Sequence, residues 1–239
     1  MKNSSGLTLI ELMLALTLSI IILSVCSSVY CISQKNLQTQ MALAQLQENA
    51  RIAQAFLQTS IHLAGFMGCA KYSSSEAITY DEHKLTIKHA SVTAALLTQE
   101  ISGGVILHTT LAPKFSAENI LVISNCKQAE IIKVDKVFTT ATEQILTVSA
   151  PLEFKFKKNA DVAKLERDTF SIEKSSHSDK EGKPLFGLYR TDIKNQKIEL
   201  VEGVNQMQIQ LQSEGLAIEL ELFYPGINKK WYSYIALAH

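Results

Sequence analysis

Residues 7–32 read LTLIELMLALTLSIIILSVCSSVYCI, and Glu11 is the only formally charged residue among them. A helix that crosses a bilayer needs about 20 mainly apolar residues, and this run is long enough. A secretory signal would have an apolar core of about 7–15 residues followed by a small-x-small cleavage site. Here the core is longer, and the small residues Ser5 and Gly6 precede it in the flank MKNSSG. A cut after Gly6 therefore leaves the apolar segment on the mature protein.

Glu11 needs a reason, because a charge near a membrane centre costs about 2.5–3.5 kcal/mol. One reading is local. Thr8-Leu9-Ile10-Glu11 has the spacing of a capping box, in which the third-position glutamate returns a hydrogen bond to the cap, and a carboxylate there also suits the positive end of the helix. A second places Glu11 at headgroup depth, where it costs little. The third reading is an intermolecular role, and these residues by themselves leave all three open.

Downstream, residues 7–64 contain no glycine and no proline. Leu43, Leu46, Ala50, Ala53, Leu57 and Ala64 follow three- and four-residue steps, with Gln45, Gln47, Glu48, Gln54 and Gln58 on other faces. This is an amphipathic continuation of the same helix, with Gly65 as its stop. Such a helix spans about 87 Å at 1.5 Å per residue.

After Gly65 the chain breaks into short runs rich in β-branched or alternating apolar residues: 84–89, 104–110, 119–125, 130–135, 144–149, 205–211 and 216–224. These are strands. "SDKEGKP" (178–184) reads as an exposed loop, and the charge-rich stretch 153–183 as a mobile insertion. The fold class is α+β: one long helix, transmembrane in its first half and amphipathic in its second, packed on an antiparallel β-sheet head.

The chain has 239 residues, 46% hydrophobic and 19% charged, with zero net charge. That suits one globular domain plus an extra element. It supplies no general attraction to nucleic acid or anionic membrane.

"Gly6 | Leu7-Thr8-Leu9-Ile10-Glu11" resembles the class III signal of type IV prepilins and type II secretion pseudopilins. The resemblance implies that a prepilin peptidase cuts after Gly6 and methylates the new amine of Leu7. It also implies that Glu11 serves filament assembly by neutralising a neighbouring subunit's amine and fixing register. A lone buried carboxylate is costly and a paired one tolerable. The family usually has phenylalanine where this chain has Leu7. Many major pilins carry a proline where this chain has Ser28, so a different, weaker kink is expected near Ser24–Ser28.

Three more stretches are similar to the PilW family of minor type IV pilins: "LAQLQENARIAQAFLQTSIHLAGFMGC" (43–69), "ENILVISNC" (118–126) and "LYRTDIKNQKIELVEGVNQMQIQL" (188–211). In that frame residues 1–6 are the leader, 7–32 the transmembrane helix, 33–64 its amphipathic continuation and 65–239 a periplasmic head. Cys69 and Cys126 then lie where disulfides persist, and a bridge between them is expected. Cys26 and Cys31, five residues apart on a helix, cannot bridge each other and are expected to be buried packing residues.

No catalytic constellation emerges. His62, His83, His89, His108, His177 and His239 are scattered, with no HExxH, no zinc-finger spacing, no G-x-S-x-G and no phosphate loop. "KFKK" (155–158) is the best basic patch and carries an aromatic that would suit DNA, but four residues read better as a solvated strand edge. The sequence thus points to a non-enzymatic minor pilin without cofactor or metal, held in the inner membrane and later in a pilus fibre or tip. Its expected partners are other minor pilins, the major pilin, the prepilin peptidase, the inner-membrane assembly platform and the lipid bilayer, with no nucleic acid. The alternatives are a minor pseudopilin of a type II secretion system and a DNA-uptake or adhesive pilin.

Overall fold

The uninterrupted run without helix breakers becomes one α-helix, α1, over Leu9–His62. The computed structural model describes residues 9–71, 77–81, 84–178, 182–212, 215–224 and 227–237. The chain divides into two compact units, Met1–Gln47 and Glu48–His239.

In the first unit every residue from Leu9 to Met41 is exposed. The helix is unbroken through Ser24 and Ser28, whose hydroxyls donate to the carbonyls of Ile21 and Ser24 at 2.8 Å each. Such back-bonding often bends a helix. Cys26 and Cys31 are free and exposed, so within a single chain they are not the buried residues expected from the sequence.

In the second unit α1 contributes a buried stripe of Ala50, Ala53, Leu57 and Ile61. The three- and four-residue steps put these side chains on one face. The helix ends in a tightened turn, with the Leu63 N–H donating to Ser60 O and the Ala64 N–H to Ile61 O. Gly65 follows at φ 73°, a left-handed cap that glycine adopts without penalty.

The strands are β1 (Phe66–Met67), β2 (Ala70–Lys71), β3 (Ile78–Tyr80), β4 (Lys84–Leu96), β5 (Ile106–Thr109), β6 (Ile120–Ser124), β7 (Ala129–Thr139), β8 (Gln144–Val148), β9 (Asp161–Ser178), β10 (Pro184–Thr191), β11 (Lys197–Glu202), β12 (Val204–Gln212), β13 (Gly215–Tyr224) and β14 (Ile227–Ala236). Among the described residues, nine of them form one antiparallel sheet along the path β11-β10-β9-β6-β7-β8-β5, with β4 on the other edge of β9 and β3 on β4. A separate antiparallel sheet runs β12-β13-β14, and β1 and β2 form a hairpin. A core of Leu107, Leu121, Ile123, Leu146, Phe156 and Val162, with their neighbours, fills one end of the large sheet.

The reading of 153–183 as a mobile insertion is corrected. Its 18-residue strand β9 is the axis of the sheet. One edge of β9 pairs with β4 from Asp161 to Ser171. The opposite edge pairs with β6 over Asp161–Lys164 and with β10 from Thr169 on. Several of the charges that suggested an insertion have partners: Lys155 pairs with Glu100, Asp168 with Arg190, and Glu173 with Lys197. The expected loop 178–184 joins β9 to β10, and its residues 179–181 lie outside the described residues.

Candidate functional site

Two features carry chemistry, one in each unit. In the first, Glu11 sits in the first turn of α1 and is exposed. The helix around it presents Leu9, Ile10, Leu12, Met13 and Leu14 outward, and none of its most apolar stretch is buried. An uncovered apolar helix of this length is either a membrane span or a surface for packing against other helices. The capping residue Thr8, the cleavage residues Gly6 and Leu7 and the methylated amine expected at Leu7 lie outside the described residues.

In the second unit the polar centre is Asp168 on β9, 3% exposed. Arg190 of β10 donates to its Oδ1 from Nε at 2.8 Å and from Nη2 at 2.7 Å. Ser60 of α1 donates to its Oδ2 at 3.1 Å. His89 of β4, also 3% exposed, gives its Nδ1 proton to the Ala90 carbonyl at 3.0 Å and turns Nε2 toward Asp168 Oδ2 at 3.8 Å. With Nδ1 donating, Nε2 carries a proton toward Asp168 only when the ring is cationic.

The electrostatics agree with that arrangement. Burial opposes charge on Asp168, but His89, Arg190 and Ser60 outweigh it and hold the carboxyl below its ordinary value. Burial also opposes charge on His89, but Asp168, the Ala90 carbonyl and Glu166 outweigh it and raise its pKa. The four residues therefore form a charged clasp that ties the last turns of α1 to three strands. A surface ion pair contributes little, whereas a buried, hydrogen-bonded one is costly to break.

Beside this clasp, Leu165–Asp168 have β4 on one edge only. Their other edge opens on a cleft of about 470 Å³ between Glu118–Ile120 and Asp192–Gln196.

Two further ties hold the second unit. Cys69, in the β1–β2 hairpin, is bonded to Cys126, just past β6, with Cα atoms 4.4 Å apart. Gly68 allows the hairpin to lie that close, because a Cβ there would fall 2.5 Å from Ser124 Oγ. At the 201–204 turn, Gly203 has φ 80° and its N–H donates to Phe186 O at 2.7 Å, while its own carbonyl accepts from Phe223 N–H at 2.7 Å. Asn49 of α1 donates to Glu202 O at 2.9 Å. That turn thus joins the large sheet, the small sheet and the helix.

Among the described residues the histidines do not converge. His62 faces Gln58, His108 pairs with Glu143 at 3.0 Å and His177 lies 3.6 Å from Glu202, while His83 and His239 lie outside the described residues. Among the described residues no group of three or more His, Cys, Asp or Glu side chains is placed to hold a metal ion. In the basic patch Lys155 pairs with Glu100 at 2.6 Å; Phe156 is fully buried, while the adjacent Phe154 is exposed. Sequence reasoning singled out Glu11, Cys69 and Cys126 but missed Asp168 and His89. Their only signal is polar residues at inward positions of alternating strands.

The family model of the prokaryotic N-terminal methylation motif matches residues 1–27. No curated protein and no solved structure matches the chain. The motif supports a type IV pilin-like protein, a pilin- or pseudopilin-type structural subunit. It implies processing by prepilin peptidase and assembly with other pilins, and with the apolar helix it fits a single-pass membrane anchor.

Proposed function

We propose that this chain is a minor pilin of the PilW type, a structural subunit that helps prime type IV pilus assembly and sits in a complex of minor pilins at the filament tip. The observation that carries the reading is the methylation motif over residues 1–27, which runs into an apolar helix whose most apolar stretch is unburied among the described residues. In this reading residues 1–6 are removed, Leu7 becomes the methylated N-terminus and 7–32 anchors the subunit in the inner membrane. Residues 33–64 link the anchor to a periplasmic head, 65–239. Leaving the bilayer for a filament exchanges lipid for neighbouring helices around the same apolar surface. Glu11 is the one charged side chain in that surface, and a neighbour's terminal amine is its natural counter-ion.

The resemblance around Cys69, Cys126 and Val201–Val204 favours a pilus subunit over a secretion pseudopilin. The shortness of the basic patch, one lysine of which is paired with Glu100, and the zero net charge of the chain count against a DNA-uptake role. Affinity capture of the full chain from its own cells tests the proposal. Recovery of other pilins and the pilus assembly platform supports it, and recovery of type II secretion components instead assigns the chain to the pseudopilins.

A further inference from the structure

The small sheet β12-β13-β14 has two faces of different chemistry. One is core: Met207, Ile218, Leu220, Leu222 and Ile235 are buried. On the other face the register sets Gln208 beside Glu219 and Tyr232, and Gln210 beside Ala217 and Tyr234. Glutamines line one strand, tyrosines the other, and the short Ala217 lies between them. The result is a trough of about 570 Å³, its walls two strand spacings or roughly 9.6 Å apart. Tyr232 is 68% exposed and Tyr234 52%. The Tyr234 ring lies over Gly215, where an added Cβ would fall 2.7 Å from its Cζ and Oη. Tyr232 has no such packing duty.

The charges decide the class of occupant. Lys230 is 2.6 Å from Glu219, and Glu221 accepts from Asn228, so the face has no net positive charge. That disfavours a nucleic acid, whose binding is dominated by cation–phosphate contacts. An apolar partner could use the tyrosine rings and Ala217 but would leave Gln208, Gln210 and Glu219 desolvated without new hydrogen-bond partners. What remains are planar carboxamides that donate and accept, a carboxylate that accepts, and aromatic faces that pack against C–H groups. A ligand dense in hydroxyls and otherwise apolar on its ring faces uses all three.

We infer that this trough binds a neutral glycan, with Tyr232 stacking on a sugar ring and Gln208, Gln210 and Glu219 hydrogen-bonding its hydroxyls. This goes beyond the assembly role, and its test needs no filament. The full chain is purified in lauryldimethylamine oxide, a detergent without a sugar headgroup, and titrated with cellohexaose, chitohexaose, maltohexaose and oligothymidylate. Saturable binding of at least one oligosaccharide is expected. Tyr232→Ala should weaken it about tenfold or more, as should Gln208→Ala, while Tyr232→Phe keeps most of it. All three variants should melt with the parent, since both positions are exposed. If Tyr232→Ala fails to fold, Gln208→Ala decides alone. Absence of binding to all three oligosaccharides overturns the inference. So does binding indifferent to both alanine variants, or a Tyr232-dependent preference for oligothymidylate or for a second copy of the chain.

Discussion

Arg190 holds Asp168 through two nitrogens on one oxygen, leaving the other carboxylate oxygen to Ser60 and His89. The arginine is part-exposed and the aspartate is not. Losing the arginine therefore strands a buried charge that the remaining partners only partly compensate. Arg190→Gln should cost about 2–3 kcal/mol, below the 3–5 of a fully buried pair. Denaturant unfolding of the full chain measures it, and a change under 0.5 kcal/mol would show the clasp to be incidental.

The same clasp makes stability depend on pH. His89 has its pKa raised on folding, so its contribution is complete below the ordinary histidine value of 6.5 and is lost as pH rises through the raised one. Asp168 has its pKa lowered, so its contribution is complete above 3.8 and is lost only as pH falls through the lowered one. The clasp is strongest between those two limits. The melting temperature should fall as pH climbs past 6.5, and His89→Gln should flatten that fall. An unchanged alkaline slope in the variant would remove His89 from the account.

The Cys69–Cys126 bridge closes a separation of 57 residues, for which chain entropy gives a stabilisation of about 4 kcal/mol. Non-reducing peptide maps should show the two peptides linked. Cys69→Ser and Cys126→Ser should each lower stability by a similar amount, and the double variant no further. Alkylation of both cysteines without reductant would contradict the bond.

Gly203 is a third weak point. Alanine there would combine φ 80° with a Cβ 2.6 Å from the Phe223 carbonyl, which is backbone and cannot swing away. Gly203→Ala should cost about 2 kcal/mol or more. A melting temperature equal to the parent's would mean that the turn relaxes freely.

Glu11 separates a local role from an intermolecular one. A capping box accepts glutamine as readily as glutamate, so Glu11→Gln leaves a merely capped helix intact. If Glu11 neutralises a neighbour's amine, the variant should still be cut after Gly6 yet fail to support piliation in a strain lacking the parent copy. Mass spectrometry reads the cut and electron microscopy the pili. Full piliation would return Glu11 to capping, and loss of cleavage would point to peptidase recognition.

The long helix was legible because nothing in residues 7–64 could stop it and Gly65 could. Strands such as Ile120–Ser124 and Gln144–Val148 were legible from their apolar runs. β9 was not, because its middle, Leu165-Glu166-Arg167-Asp168, is charged, and in sequence that resembles a solvated loop. Those charges are tolerated there because one edge opens on a cleft and Asp168 meets cations supplied by two other strands. Such a cluster leaves no local period, since His89, Asp168 and Arg190 meet only after the sheet has formed. Glu11 was legible for the opposite reason: it is the single exception in a uniform apolar run.

The position of β9 also sets an order of events. β4, β6 and β7 all precede it in the chain, yet β4 and β6 find their shared partner only when residues 161–178 arrive. A chain synthesised from its N-terminus therefore waits with two open strand edges until more than two-thirds of it has been made. Non-local pairing of this kind folds slowly, and open edges invite association with other chains. Truncation just before Asp161 should leave a fragment that keeps the β5–β8–β7–β6 pairings but aggregates through the uncovered edges of β4 and β6.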